Sequence, residues 1–180
     1  MLEFDQITTR GGDYGDSSLY NGERRGKDEN IFEALGDIDE LSSYLGLVKH
    51  GLSAAGFAIE AETLEGVQKR LILLGGEVAT PRSAPLFHKI EHLTDQDIEW
   101  LEAGEYLLLK ETEIPPLFVL SGKSELGART DIARSICRRA ERAIVRCIRK
   151  DGMIHLARGQ NFINRLSDYL FVLARRIEAD

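Results

Sequence analysis

Apolar residues placed three and four apart, over most of the chain, limit what this sequence can fold into more than any other feature. Ile31, Leu35, Ile38, Leu41, Leu45, Val48 and Leu52 form the first such stripe, the pattern of an amphipathic helix. A second runs from about Ile59 to Val78 through Leu64, Val67, Leu71 and Leu74, and Pro81 and Pro85 then mark a connection. Thr94 followed by Asp97 reads as an N-cap with an acidic third residue. It opens a third helix through Ile98, Leu101 and Leu108, which Pro115-Pro116 ends. A fourth helix is expected from about Glu125 to Lys150 and a fifth from about Gln160 to Glu178, with Gly152 between them. Strand signals are nearly absent. The expected fold is all-α, a five-helix up-and-down bundle.

The periodicity starts only after residue 28. Residues 8–28 read TTRGGDYGDSSLYNGERRGKD, and Gly11, Gly12, Gly15, Gly22 and Gly26 interrupt any regular pattern. This is expected to be a glycine-rich N-terminal arm with turn chemistry throughout. The chain therefore divides into an arm at 1–28 and a helical bundle at 29–180, within one domain; 180 residues suit that size. The apolar runs LILL (71–74) and YLLL (106–109) fall well short of the roughly 20 residues that span a bilayer. The start, MLEFDQITTR, lacks the features of a signal peptide. No membrane partner and a cytoplasmic location are expected. A net charge of −7 argues against general nucleic-acid binding, which needs many phosphate contacts. Cys137 and Cys147 are too few for a disulfide framework and are expected to pack inside a helix, in a reducing compartment.

The fourth helix, ELGARTDIARSICRRAERAIVRCIRKD, carries the strongest chemical signal. At about 100° per residue, Arg134, Arg138, Glu141, Arg142 and Arg149 share an arc of about 100°, and Ile132, Ile136, Ala140, Ala143 and Cys147 lie opposite. Two readings are open: a solvated face laced with i,i+4 ion pairs, or a row of guanidinium groups awaiting an anion. Arginine outnumbers acid on the stripe, and its planar fork suits phosphate oxygens. The arm fits the same ligand, since amides of a glycine-rich loop can form an anion-binding nest. Arg10, Arg24, Arg25 and Lys27 add positive charge to it, and Thr8, Thr9, Ser17 and Ser18 add hydroxyls. Asp13 and Asp16 would orient loop amides or help hold a magnesium ion. In the fifth helix, Asn164 and Asp168 are four apart and share a face.

Other motifs fail. Ser121-Gly122-Lys123-Ser124 imitates the end of a P-loop, but Leu117 occupies the position of its first glycine. His88 and His92 lack a zinc-protease pattern and read as surface histidines, and no ExxH pair supports a di-iron bundle. No metal-ligand set and no nucleophile–base–acid triad is evident.

Taken together, TTRGGDYGDSSLYNGERRGKD, EALGDIDELSSYLG, PPLFVLSGKSELGARTDIARSICRRAER and NRLSDYLFVLAR resemble, in order, the sequence motifs of the PduO-type ATP:cob(I)alamin adenosyltransferases. The resemblance spans nearly the whole chain. It implies a five-helix bundle assembled as a homotrimer with active sites at subunit interfaces. The implied reaction transfers the 5′-deoxyadenosyl group of ATP, with Mg²⁺, to cobalt(I) of cobalamin or a related corrinoid and releases triphosphate. Its partners would be a corrinoid-dependent acceptor enzyme and a reductase. The alternative is a noncatalytic protein that binds ATP or adenosylcobalamin and delivers it.

The resemblance also implies roles for individual residues. Thr8, Thr9, Arg10, Gly11, Gly12, Asp13 and Lys27 would close over ATP. Arg138, Glu141 and Asn164 would contact the nucleotide, with Arg138 nearest the phosphates. Asp39 and Arg134 would form a salt bridge between neighbouring subunits. Phe118 would press on the lower face of the corrin and disfavour an axial ligand, easing reduction of Co(II). Arg142 is a weaker candidate that could equally pair with a carboxylate. Two positions depart from the family pattern: Tyr14, where lysine is common, and Leu120-Ser121-Gly122-Lys123, where Leu-Pro-Gly-Gly is usual.

Overall fold

The structure is a computed structural model and describes residue 1 and residues 3–179. A four-residue helix, α1 (Phe4–Ile7), and an antiparallel ribbon of β1 (Asp16–Ser18) and β2 (Arg24–Gly26) come first. Five long helices follow among the described residues: α2 (Asn30–Ala54), α3 (Ala58–Val78), α4 (Asp95–Glu111), α5 (Glu125–Asp151) and α6 (Ala157–Ala179). Short 3₁₀ turns at Pro85–Lys89 and Ile154–Leu156 complete the connections.

Each expected helix forms where its stripe lies. Leu41, Leu45, Val48 and Leu52 of α2, Leu64, Val67 and Leu74 of α3, and Phe162, Leu166, Leu170 and Leu173 of α6 are completely buried. Each such side chain contributes about 1.5–3 kcal/mol by leaving water. The helix ends follow local chemistry. At the start of α4 the Thr94 hydroxyl and Asp97 carboxylate form a reciprocal capping box. The Ser124 hydroxyl accepts the Gly127 N–H at 3.0 Å to cap α5. Gly152 ends α5 with a φ of 71°, a conformation glycine adopts without a Cβ penalty.

Helix α5 lies centrally, packed against α2 on one side and α6 on the other, while α3 packs on α2 and α4 on α6. Small residues, Gly127, Ala133, Ala140 and Ala143, are interspersed with Ile136 and Ile144 on its buried face and let its neighbours approach closely. Arg70 closes α3 onto α4. Its Nε donates to Asp97 Oδ1 at 2.8 Å, and its guanidinium lies 3.9 Å from the Trp100 ring centroid. Both cysteines are buried, as expected for packing residues. Burial raises the Cys137 thiol far above its ordinary pKa, and that of Cys147 to about 11. No helix among the described residues is long and apolar enough to cross a membrane.

Three expectations change. The arm is not loop throughout: Ser17 pairs with Arg25, and the Leu19 N–H donates to the Glu23 carbonyl at 2.8 Å. Gly22, at φ +85°, makes the reversal. The ribbon docks by one apolar side chain, Leu19, in the core, and by the Tyr20 N–H on the Ala79 carbonyl at 2.9 Å. Ile132 does not join the buried back of α5 but remains 47% exposed. Finally, of the pair His88 and His92, only His88 is a surface histidine. His92 is half-buried, packs on Phe87 with centroids 4.6 Å apart, and sits 3.5 Å from the buried Glu77 carboxylate.

Candidate functional site

The arginines of α5 fall into two sets. Arg129 pairs with Glu125 at 2.5 Å, Arg146 with Glu33 at 2.5 Å, Arg134 with Asp131 at 3.3 Å, and Arg139 with Asp37 and Glu40 of α2. Arg138, Arg142 and Arg149 are exposed, and none has a carboxylate partner among the described residues. Arg142 Nη1 instead donates to the Arg138 carbonyl at 2.9 Å. The solvated-face reading calls for i,i+4 ion pairs along this stripe, but among the described residues its one ion pair is that of Arg134 with Asp131, three residues away. The acids neutralise the flanks of α5 and leave its front positive.

Beside that front stands a short polar chain from α5 to α6. The Asn164 amide donates to Glu141 Oε1 at 3.1 Å, while its Oδ1 accepts from Arg165 Nη2. Arg165 in turn pairs with Asp168 at 3.4 Å. Opposite neighbours thus fix which end of the Asn164 amide points where. The Glu141 carboxylate is thereby turned toward α6 and is not spent on an arginine.

Two clefts flank the row. One, of about 590 Å³, lies toward α2 and is lined by Glu40, Tyr44, Ile132, Arg134 and Arg139. The other, of about 410 Å³, lies between α4, α5 and α6 and is lined by Glu105, Leu109, Arg134, Arg138, Asp168 and Phe171. Arg134 borders both. Burial, then the nearby Asp168 charge, raises the Glu105 carboxyl above its ordinary pKa, with Arg165 opposing. The segment joining α4 to α5 passes both clefts: Ile114 lines the second, and Ser121 and Gly122 line the first. At its middle, Phe118 is fully exposed at 109%, and Leu117 and Leu120 are exposed beside it.

The arm forms a separate element. Arg24 Nη2 donates to the Gly11 carbonyl at 2.6 Å and Lys27 Nζ to the Gly12 carbonyl at 2.9 Å. Arg10 takes a left-handed φ of 56° and Gly15 one of 87°, so the loop between them curls tightly. Two cations therefore grip its carbonyl edge. Thr8, Thr9, Arg10, Gly11 and Asp13 are exposed, as is Tyr14 at 97%. The structure thus brings Arg138, Glu141 and Asn164 together, and separately gathers Gly11, Gly12 and Lys27. Among the described residues no hydrogen bond or ion pair joins these two groups. Asp39 is exposed on α2, and it does not pair with Arg134 within the chain, whose guanidinium meets Asp131 instead. No group of three or more His, Cys, Asp or Glu side chains among the described residues could hold a metal ion.

The sequence reading missed the roles of Asp37 and Glu40 in neutralising Arg139. Nothing local signals that pairing, because roughly a hundred residues separate the partners. It also missed Arg165, whose i,i+3 spacing to Asp168 was available as a cue.

Comparison with known proteins gives the lineage. A family model described as cobalamin adenosyltransferase matches residues 7–177. The corrinoid adenosyltransferase MMAB of Mus musculus is 37% identical over 172 residues, covering 94% of this chain and 71% of that protein. The corrinoid adenosyltransferase PduO of Citrobacter freundii is 34% identical over 97% of this chain, which spans only 50% of that longer protein. Among solved structures, a phenylalanine-to-alanine variant of the PduO-type ATP:corrinoid adenosyltransferase from Lactobacillus reuteri, complexed with cobalamin and ATP, superposes with a TM-score of 0.85 at 30% identity, covering 96% of this chain and 93% of that one. An arginine-to-lysine variant of the Lactobacillus reuteri enzyme, complexed with ATP, gives 0.82 at 30% identity, covering 95% and 93% of the two chains. The chain belongs to the cobalamin adenosyltransferase family.

Proposed function

We propose that this protein transfers the 5′-deoxyadenosyl group of ATP to the cobalt(I) of cobalamin or a related corrinoid. One observation carries the reading. Among the described residues, the front of α5 keeps Arg138, Arg142 and Arg149 without carboxylate partners, beside an Asn164 amide held in one orientation, in a chain whose solved relatives bind cobalamin and ATP.

The reduced cobalt supplies the nucleophile, so the protein needs none. A cobalt electron pair forms the Co–C5′ bond as the C5′–O bond breaks, and the electrons leave with triphosphate. The work left to the chain is alignment and charge. Arg138 meets the phosphates, where its fork strengthens as the leaving group gains charge. Glu141 and Asn164 hold the nucleoside end. In the arm, Thr8, Thr9, Arg10, Gly11, Gly12 and Asp13 close over the phosphates. Lys27 and Arg24 exchange carbonyl partners for phosphate oxygens as they do so. The exposed carboxylates Asp13 and Asp16 would help hold a Mg²⁺ ion, which would offset charge on the phosphates. Phe118, exposed and unpacked, meets the corrin.

Among the described residues no hydrogen bond or ion pair links the arm to the arginine row within one chain. A neighbouring copy therefore completes the site, which supports a homotrimer with sites at its interfaces. Asp39, exposed and without an ion pair among the described residues, would then meet Arg134 of the adjacent subunit. The buried thiols suit a cytoplasmic setting. A corrinoid-dependent enzyme would accept the product and a reductase would supply cobalt(I).

The test mixes the protein anaerobically with MgATP and chemically reduced cobalamin and follows the loss of the cobalt(I) absorbance. Turnover with release of triphosphate is expected. Tight binding of adenosylcobalamin without turnover would replace the transferase with a carrier.

A further inference from the structure

A run of nearly buried charges lies where α5, α6 and the Phe118 segment meet. The side chains of Arg175, Asp131 and Glu178 are 6%, 5% and 3% exposed. Arg175 Nη2 donates to Asp131 Oδ2 at 2.5 Å and lies 3.1 Å from Glu178 Oε2. Asp131 Oδ1 accepts from Arg134 Nε at 3.3 Å. At the other end, Glu178 Oε1 accepts two backbone N–H groups, from Gly122 at 3.2 Å and Lys123 at 3.0 Å. One charge chain therefore runs from the loop to the arginine that borders both clefts.

Stability alone is a poor account of this arrangement. Buried ions lose hydration, and an apolar replacement of the same volume is often as stable. The network is also incompletely satisfied. Arg175 Nε and Glu178 Oε2 are buried without a hydrogen-bond partner, the 3.1 Å contact of Oε2 being an ion pair outside hydrogen-bond geometry. Yet the surroundings make room for it. A Cβ at Gly127 would come within 2.7 Å of Glu178 Cγ, so glycine there keeps α5 clear of the carboxylate. Burial would raise the Asp131 carboxyl. Hydrogen bonds from Ser121, Arg175 and Arg134 outweigh it and hold the carboxyl below its ordinary range.

We propose that Glu178 and Arg175 are positioning residues that seat the Phe118-bearing loop and the Arg134 guanidinium as one unit. The inference rests on the adenosyltransferase reading above. The loop and the arginine row then hold one relative geometry, and a change at either end is felt at the other.

Glu178→Gln tests this, because it keeps the shape and an acceptor oxygen while removing the charge that Arg175 and the loop amides share. Hydrogen exchange at the Gly122 and Lys123 amides should speed up about tenfold, the size expected for a weakened charge-assisted hydrogen bond. The KM for the corrinoid and the KM for ATP should both rise severalfold. A merely structural role would lower the active fraction, and so kcat, with both KM values unchanged. Unchanged exchange, or faster exchange with unchanged KM values, overturns the inference. If Glu178→Gln does not fold, Glu178→Asp keeps the charge, withdraws it from the loop, and carries the same expectations. The exchange readout needs no ligand. Wild-type protein without adenosyl transfer overturns the reading above, and the inference with it. Normal wild-type turnover with unmoved exchange overturns the inference alone.

Discussion

Replacing Arg138 with alanine separates a ligand-binding row from a structural one. The residue is exposed, and among the described residues its guanidinium has no carboxylate partner. Its backbone carbonyl, which accepts from Arg142, survives the substitution. The cost to folding should therefore stay within about 0.5 kcal/mol, the range for surface positions without special contacts. For a chain of this size that lowers Tm by about 2 °C at most. The cost to function is much larger. A bidentate arginine–phosphate contact contains two charge-assisted hydrogen bonds of about 1.5–3 kcal/mol each. Losing both lowers kcat/KM by roughly 10²–10⁴-fold. Arg138→Lys, with charge but no fork, should fall between. The assay is the anaerobic loss of cobalt(I) absorbance at varied ATP, paired with thermal unfolding with and without MgATP. Ligand-induced stabilisation should shrink in the variant as affinity falls. A variant that unfolds several degrees lower and loses activity only in proportion would show that the row holds the protein together. Wild-type kcat/KM would remove Arg138 from the site.

Phe118→Ala should leave Tm unchanged, because the ring buries no surface in the chain; the rate starting from Co(II) should fall more than the rate from preformed Co(I), and equal losses would remove its proposed role at the metal. Gly159→Ala should destabilise without touching the site. The new Cβ would collide with the completely buried Leu74, costing about 1–3 kcal/mol, or about 2–12 °C in Tm. Burial lowers the His155 pKa below that of the unfolded chain, with the Glu77 carbonyl opposing and the Arg82 charge adding. The unfolded state then binds more protons below the ordinary pKa of about 6.5, so this group's contribution is present above that pH and is lost as pH falls. Denaturation midpoints at pH 7.5 and 5.5 should differ less for His155→Gln than for wild type.

The bundle was legible because its signals are local. Stripes such as Leu41–Leu45–Val48–Leu52 repeat at the helical period, and Thr94, Asp97 and Gly152 mark helix ends by chemistry that needs only neighbours. The ribbon carried a cue as well, Asn21-Gly22, a dipeptide suited to hairpin reversals, but its strands of three residues are too short to show alternation. The positive row on α5 could be drawn on a helical wheel, whereas its meaning could not. That required knowing that Asp37 and Glu40 neutralise Arg139 from another helix while no described carboxylate pairs with Arg138. Ile132 misled because angular position on a helix says which way a side chain points and not whether a neighbour stands there.

The central seat of α5 divides the molecule into stiff and compliant parts. Wedged between two helices on small side chains, it offers the guanidinium row little freedom to turn or slide. Accommodation of differently shaped substrates therefore falls to the segments that touch the core least, the leading ribbon with its one apolar anchor and the stretch around Phe118. Variants selected for a new corrinoid should collect changes in those two places and spare the arginine-bearing rod.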